Sequence, residues 1–175
     1  MTEKPKKYAR VSQILHWTTA LFVFMALVVG TVMTKFAPAN MVDQFYNSHV
    51  MGGWVLLVLM VVRLVARWRN PAPEEPEGLS PARAQLFKWN HILLYVFVIV
   101  MLSSGLGILS LSGLSIFPGG VTAGGIQKVP PIAVHDIVSK FVLLLVLMHI
   151  GGVLQYQFTK GNVLARMGVN IFSKK

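Results

Sequence analysis

Two histidines, His135 and His149, stand fourteen residues apart in one long apolar span, residues 132–155. A helix rises about 1.5 Å and turns about 100° per residue, so fourteen residues complete almost four turns and return to nearly the same face. The two imidazoles are then about 21 Å apart along the axis, one toward each surface of a hydrocarbon layer about 30 Å thick. Imidazole in lipid is costly unless it is partnered. Two on one face therefore point to two ligands held one above the other, and haem, whose iron takes imidazole axially, suits that arrangement.

Hydrophobic residues make up 54% of the 175-residue chain and charged residues 13%, about half the charged share of a soluble domain. Four apolar runs can each cross a bilayer, at about residues 12–33, 50–68, 89–111 and 132–155. The expected fold is all-α: one integral-membrane four-helix bundle over residues 1–175, in contact with lipid.

A net charge of +10 invites a nucleic-acid reading, but the cations neither line a soluble face nor alternate with exposed aromatics. They sit at span ends instead. Lys4, Lys6, Lys7 and Arg10 precede the first span, Arg63, Arg67, Arg69, Arg83 and Lys88 flank the second connection, and Lys160, Arg166, Lys174 and Lys175 follow the last. The other two connections carry Lys35 and Lys128, so the positive-inside rule places both termini in the cytoplasm. The Lys-rich start and the apolar run ending near Ala37-Pro38-Ala39 mimic a signal peptide. That run is long for a secretory core, and its removal would discard His16, so it reads as a retained first helix.

The chain has no cysteine, which excludes disulfides, thiolate-held iron–sulfur clusters and thioether-attached haem. Any haem is held non-covalently, as b-type. By depth the five histidines sort into an inner layer of His16, His91 and His149 and an outer layer of His49 and His135. Outside, one pairing is available. Inside, either His16 or His91 faces His149.

Other residues serve or surround such a cofactor. Gly52 and Gly53 follow His49, and Gly151 and Gly152 follow His149, giving either room for a flat macrocycle or ordinary close helix packing. Arg63 and Arg67, four apart, form either a propionate clamp for the inner haem or a snorkelling pair at the interface. Asp136 and Lys140 are spaced to neutralise one another, and the sharper reading makes Lys140 a proton or anion site beside the outer haem. Tyr95, one turn from His91, reads as core or interfacial. Two connections stand out: the Pro-rich acidic stretch at residues 70–78, which reads as a semi-rigid link, and the glycine-rich stretch at about residues 112–131, which either covers the outer cofactor, docks a partner or is a plain linker.

Taken together, Arg10, Ile14-Leu15-His16-Trp17, Ser48-His49-Val50, Leu59 to Leu64 with Arg63, Arg67, Asn70-Pro71, Asn90-His91 through Tyr95, His135 and His149 resemble the bacterial cytochrome b561 family along nearly the whole chain. That family is related to the membrane cytochrome b subunits of hydrogenases and formate dehydrogenases. The resemblance is greatest to its short, superoxide-oxidising members, and it implies two haems b per chain, with His16 and His149 as inner ligands and His49 and His135 as outer ones. It makes His91 a non-ligand near the inner haem, a candidate for a quinone site. Where such proteins often carry Trp-His-Glu, this chain has Val134-His135-Asp136, and its third connection has few charges, so the periplasmic donor is the least transferable part.

The resulting expectation is a multi-pass di-haem b cytochrome of the bacterial inner membrane, an oxidoreductase moving electrons between a periplasmic-side donor and the quinone pool. Superoxide is the specific donor considered, drawn by Lys35, Lys128 or Lys140. His91 and Lys140 are the candidate catalytic groups. Two alternatives stand beside it: an electron-transfer anchor subunit for a periplasmic dehydrogenase or hydrogenase, and a transporter or scaffold whose histidines hold other metals or simply pack. A homodimer or a redox-protein partner is compatible with each.

Overall fold

The computed structural model describes residues 7–71, 73, 74, 76 and 78–170. The terminal cations Lys4, Lys6, Lys174 and Lys175, together with Ala72, Glu75 and Glu77 of the inner connection, lie outside the described residues. Four long helices follow one another: α1 (Arg10–Lys35), α2 (Val42–Arg69), α3 (Pro81–Leu111) and α4 (Pro130–Thr159), with short 3₁₀ segments at Ala123–Gly125 and Leu164–Met167. All four are long and apolar enough to span a membrane. The end of the bundle that carries both chain ends is called inner below.

Each helix outruns the span that hydropathy marks. α2 starts at Val42 and α3 at Pro81, eight residues ahead of the expected starts at 50 and 89. Hydropathy detects only the part that crosses lipid, whereas backbone hydrogen bonding continues through the interface until a breaker stops it. Pro81 at the first turn of α3, with Ser80 Oγ accepting from Arg83 N at 3.4 Å, sets one such limit. Pro130 and Pro131 open α4, and Gly113, at φ +71°, closes α3 in the left-handed conformation. His49 therefore lies two turns inside α2 rather than at its tip.

The helices form two hairpin pairs. α1 packs along α2 and α3 along α4, whereas α2 and α3 touch more sparingly. Leu56 and Met60 of α2, Val98 of α3 and Val138 and Val142 of α4 make the buried centre, with Phe22, Val23 and Leu27 of α1 against it. The exterior is apolar as well: Leu21, Phe24, Val58, Val61, Leu144 and Leu147 are among many exposed large side chains, the surface expected of a bundle solvated by lipid tails. Hydroxyls within the spans bond back to their own helix, as Thr19 Oγ1 does to the Leu15 carbonyl at 2.6 Å and Thr31 Oγ1 to that of Leu27 at 2.8 Å.

Both ends are closed by chain rather than left open. At the outer end the α3–α4 connection is docked on α2. Asn47 Nδ2 donates to the Val121 carbonyl at 2.7 Å, the Val121 amide donates to Asn47 Oδ1 at 3.0 Å, and the Ala123 amide donates to Asp43 Oδ1 at 2.8 Å. Trp54 donates to the Ile116 carbonyl at 2.6 Å and stacks on Phe117. Val121 is 1% exposed. The connection is thus an ordered cover, not a plain linker. At the inner end the segment after α4 returns to α1: Tyr8 N donates to the Arg166 carbonyl at 3.0 Å and Trp17 Nε1 to that of Met167 at 3.0 Å. Arg166 also donates to the Glu74 carbonyl of the inner connection.

Removing the two-bond latch with Asn47→Ala should leave the Val121 amide and carbonyl short of a partner and cost about 1–3 kcal/mol. Hydrogen exchange at residues 120–125 is expected to speed up while exchange in the middle of α4 stays unchanged; unchanged protection of the connection would show that the latch does not hold it.

Candidate functional site

All five histidines face the interior, and they meet in two layers. In the inner layer His16 of α1 faces His149 of α4, ring centres 6.0 Å apart, with the planes 59° apart. In the outer layer His49 of α2 faces His135 of α4 at 6.1 Å and 75°. His91 of α3 packs edge-on against His149 at 4.7 Å and 89°, and its Nδ1 donates to the Phe87 carbonyl at 2.7 Å.

These separations can be set beside what a metal between two imidazoles requires. Metal–imidazole bonds of about 2.0–2.1 Å, added to roughly 1.1 Å from nitrogen to ring centre, put two imidazoles on opposite sides of one metal about 6 Å apart, centre to centre. His16–His149 and His49–His135 stand at that distance. His91–His149 is more than 1 Å shorter and has the geometry of aromatic edge packing.

Around the inner layer, Arg63 turns inward: its Nη2 lies 2.8 Å from His16 Nδ1, and its Nε donates to the Tyr95 hydroxyl at 2.8 Å, with the guanidinium 5.3 Å from that ring's centre. Arg67 is more exposed than Arg63, yet it lies near enough for its charge to act on His91, so both arginines stand on the side of α2 toward the inner histidines. Asn90 is 6% exposed and donates to the Leu145 carbonyl at 3.1 Å. Among the described residues Asn90 Oδ1 and His149 Nδ1 are buried polar atoms with no hydrogen-bond partner, and both residues line one cleft between the inner halves of α3 and α4.

Of the two readings of the glycines that follow His49 and His149, close helix packing is the one the structure removes, and the open space beside them is left. A Cβ on Gly52, Gly53, Gly151 or Gly152 would meet nothing within 4 Å, so no neighbouring helix closes on them. The close approaches are at Gly30, where a Cβ would come within 3.3 Å of His49 Cε1, and at Gly105, where it would come within 3.5 Å of His135 Cε1. Ser104 Oγ lies 3.0 Å from His135 Nδ1. Lys140 is ion-paired with Asp136 at 2.7 Å, with side chains 70% and 63% exposed, on the outside of α4. Neutralisation is the role its position gives it, and it does not face His49 or His135.

Gly30 and Gly105 were legible by a rule applied above to α4 alone. Fourteen residues separate His16 from Gly30, His49 from Arg63, His91 from Gly105 and His135 from His149. Each helix thus presents two positions of one face to the two layers, and the position lacking a histidine carries a glycine beside an imidazole or an arginine bonded to one. The midpoints seven residues on, Val23, Leu56, Val98 and Val142, belong to the apolar centre between the layers.

A four-helix membrane bundle with paired interior histidines at two depths defines a class, the membrane cytochromes that hold haem b between helices. The chain belongs to the prokaryotic cytochrome b561 family, whose profile matches residues 7–169. It is 26% identical over 178 aligned residues to cytochrome b561 homolog 2 of Escherichia coli strain K12, the match covering 95% of this chain and 93% of that protein. The protein is accordingly a multi-pass protein of the bacterial inner membrane that binds haem b and transfers electrons.

Gly30→Val is expected to push its branches into the His49 ring and lower the haem content of the purified protein, measured by pyridine haemochrome, while Gly124→Val in the exposed connection leaves it unchanged. Full haem content in Gly30→Val would show that the close approach at His49 has no bearing on the cofactor.

Proposed function

We propose that the chain carries two haems b and passes electrons from a donor on its outer side to quinone on its inner side. The observation that carries this reading is the pair of imidazole couples at 6.0 and 6.1 Å, set one above the other by the fourteen-residue spacing. His16 and His149 hold the inner iron, and His49 and His135 hold the outer one. Haem supplies reversible one-electron transfer. Gly30 and Gly105 leave room for the imidazole rings. The apolar layer of Leu56, Met60, Val98, Val138 and Val142 keeps water from the region between the two sites. The positive-inside distribution of cations supports cytoplasmic termini, which makes the outer end periplasmic.

His149 ties the inner site to the quinone. Were His149 to hold iron through Nε2, its Nδ1 would carry the proton and be a buried donor on a residue that lines the α3–α4 cleft. Asn90 Nδ2 is already committed to the Leu145 carbonyl, so Oδ1 is left as an acceptor on the same cleft. A donor and an acceptor at a cleft that also carries Arg83, Gln155, Tyr156, Thr159 and Lys160 suit a head group that is a double acceptor as quinone and a double donor as quinol. His91, bonded to its own helix and packed on His149, orients that ring rather than binding iron.

With superoxide as donor, two anions each give one electron and leave as dioxygen. One quinone takes both electrons and two protons to become quinol. The docked outer connection over α2 favours a small diffusible donor of this kind over a large docking surface, and Lys35 and Lys128 supply positive charge at that end.

Purified protein should contain two haems b per chain by visible spectroscopy, and His49→Ala, His135→Ala, His16→Ala and His149→Ala should each retain about one, whereas His91→Ala retains both. Two haems in all five variants, or none in the parent protein, would end the ligand scheme. With a superoxide-generating system, quinone reduction should exceed that of haem-free protein, and Asn90→Leu should raise the quinone KM roughly tenfold. Reduction no faster than in the haem-free control would remove superoxide as the donor.

A further inference from the structure

Taking His135 as an outer ligand, as proposed above, we infer that Ser104 is a positioning residue for the outer haem: its hydroxyl fixes the proton of His135 on Nδ1 and so turns a bare Nε2 toward the iron.

Proton bookkeeping carries the assignment. Ser104 is 8% exposed, and its Oγ lies 2.9 Å from the Met101 carbonyl one turn back in α3 and 3.0 Å from His135 Nδ1. A hydroxyl has one proton, and a carbonyl oxygen can only accept. If the proton pointed at His135, two oxygens would face each other at 2.9 Å in a buried site with nothing between them. The proton therefore goes to Met101, and Ser104 Oγ accepts from His135 Nδ1–H, with the Met101 carbonyl also within hydrogen-bonding reach of the ring. A neutral imidazole protonated at Nδ1 keeps its lone pair on Nε2, the nitrogen free to bind metal. Gly105, the next residue, allows the ring to lie this close to α3. One dipeptide of α3 thus sets both the proton and the room of a ligand on α4.

The inner layer supplies a contrast within the same molecule. Arg63 has donors only, so the nitrogen it meets, His16 Nδ1 at 2.8 Å, accepts. His16 is thereby held in the opposite polarity, and binding iron through Nε2 requires Arg63 to release it. An acceptor on a ligand's distal N–H increases the ligand's basicity and stabilises the oxidised metal. Ser104 is placed to do this for one haem only.

The test is a redox titration of the purified holoprotein beside Ser104→Ala and Ser104→Thr, with the outer wave identified as the one lost in His135→Ala. Ser104→Ala should raise the midpoint of the outer haem by a roughly tenfold change in its reduction equilibrium, 59 mV for one electron, and leave the inner wave in place. Ser104→Thr, which keeps the hydroxyl, should restore it. In haem-free protein, imidazole ¹⁵N shifts should report Nδ1–H at His135 in the parent chain and a mixture of tautomers in Ser104→Ala. If His135→Ala removes one haem but Ser104→Ala moves neither wave, or moves both alike, the role given to Ser104 is wrong while the ligand scheme stands. If His135→Ala removes none, both fall together. Loss of the outer haem in Ser104→Ala with retention in Ser104→Thr supports the inference; loss in both overturns it.

Discussion

Two imidazoles centred 6 Å apart across a bundle determine how closely the helices that carry them can approach. Apolar helices in lipid gain by closing on small residues. Here α1 and α2 close on one another, as do α3 and α4, but the histidine couples lie across the two hairpins, His16 to His149 and His49 to His135. The remaining architecture accommodates that separation. Connections fold over both ends, the exterior faces lipid, and a band of aliphatic side chains fills the space between the couples.

The couples also fix the register of all four helices. A face returns after about seven residues and again after about fourteen, so a helix that places a group at one layer has a defined position for the other layer and one for the apolar middle. His135, Val142 and His149 read this way down α4, and His49, Leu56 and Arg63 down α2. On α1 and α3 the inner position is histidine and the outer one is glycine, Gly30 and Gly105, each against an imidazole of the outer couple. The outer layer thus takes its histidines from α2 and α4 and its space from α1 and α3. A substitution at any of these positions acts on a neighbouring helix, which is why the site cannot be described helix by helix.

The four helices, their order and the two histidine layers were legible in the sequence because lipid imposes a length and a polarity that composition reports directly. Helix ends were less so: the first two turns of α2 carry Asp43, Asn47 and Ser48, which look like a loop in a hydropathy reading but are helical in the interface, where Asp43 and Asn47 hold the outer connection. Choosing His16 over His91 opposite His149 rested on resemblance, since both lie at the same depth in the sequence; in the fold both rings lie against His149, His16 at 6.0 Å and His91 edge-on at 4.7 Å. Adjacency to His49 along the chain singled out Gly52 and Gly53, which have open space beside them, but could not show Gly30 and Gly105, whose close approach is decided across the bundle. Ser104 carried no signal of its own, because a serine in a membrane helix is ordinarily satisfied by its own backbone, and its second partner belongs to another helix.

What surrounds each Nδ1 distinguishes the histidines more than their depth does. His135 meets an acceptor in Ser104, His16 meets a donor in Arg63, His91 is tied to the Phe87 carbonyl, His49 lies against the Ala26 carbonyl of α1, and the Nδ1 of His149 has no partner among the described residues. A membrane interior has no bulk water to level such differences, so each contact acts nearly undiluted on the ring it touches. On the proposed two-haem scheme, chemically identical cofactors in one bundle can then have unequal affinities for an electron, and an ordered direction of transfer needs that inequality. The unpartnered Nδ1 of His149 fits the same logic from the other side: on the proposed ligand scheme, its distal N–H is left without an internal acceptor in a residue that lines a cleft between α3 and α4, where a second molecule could meet it.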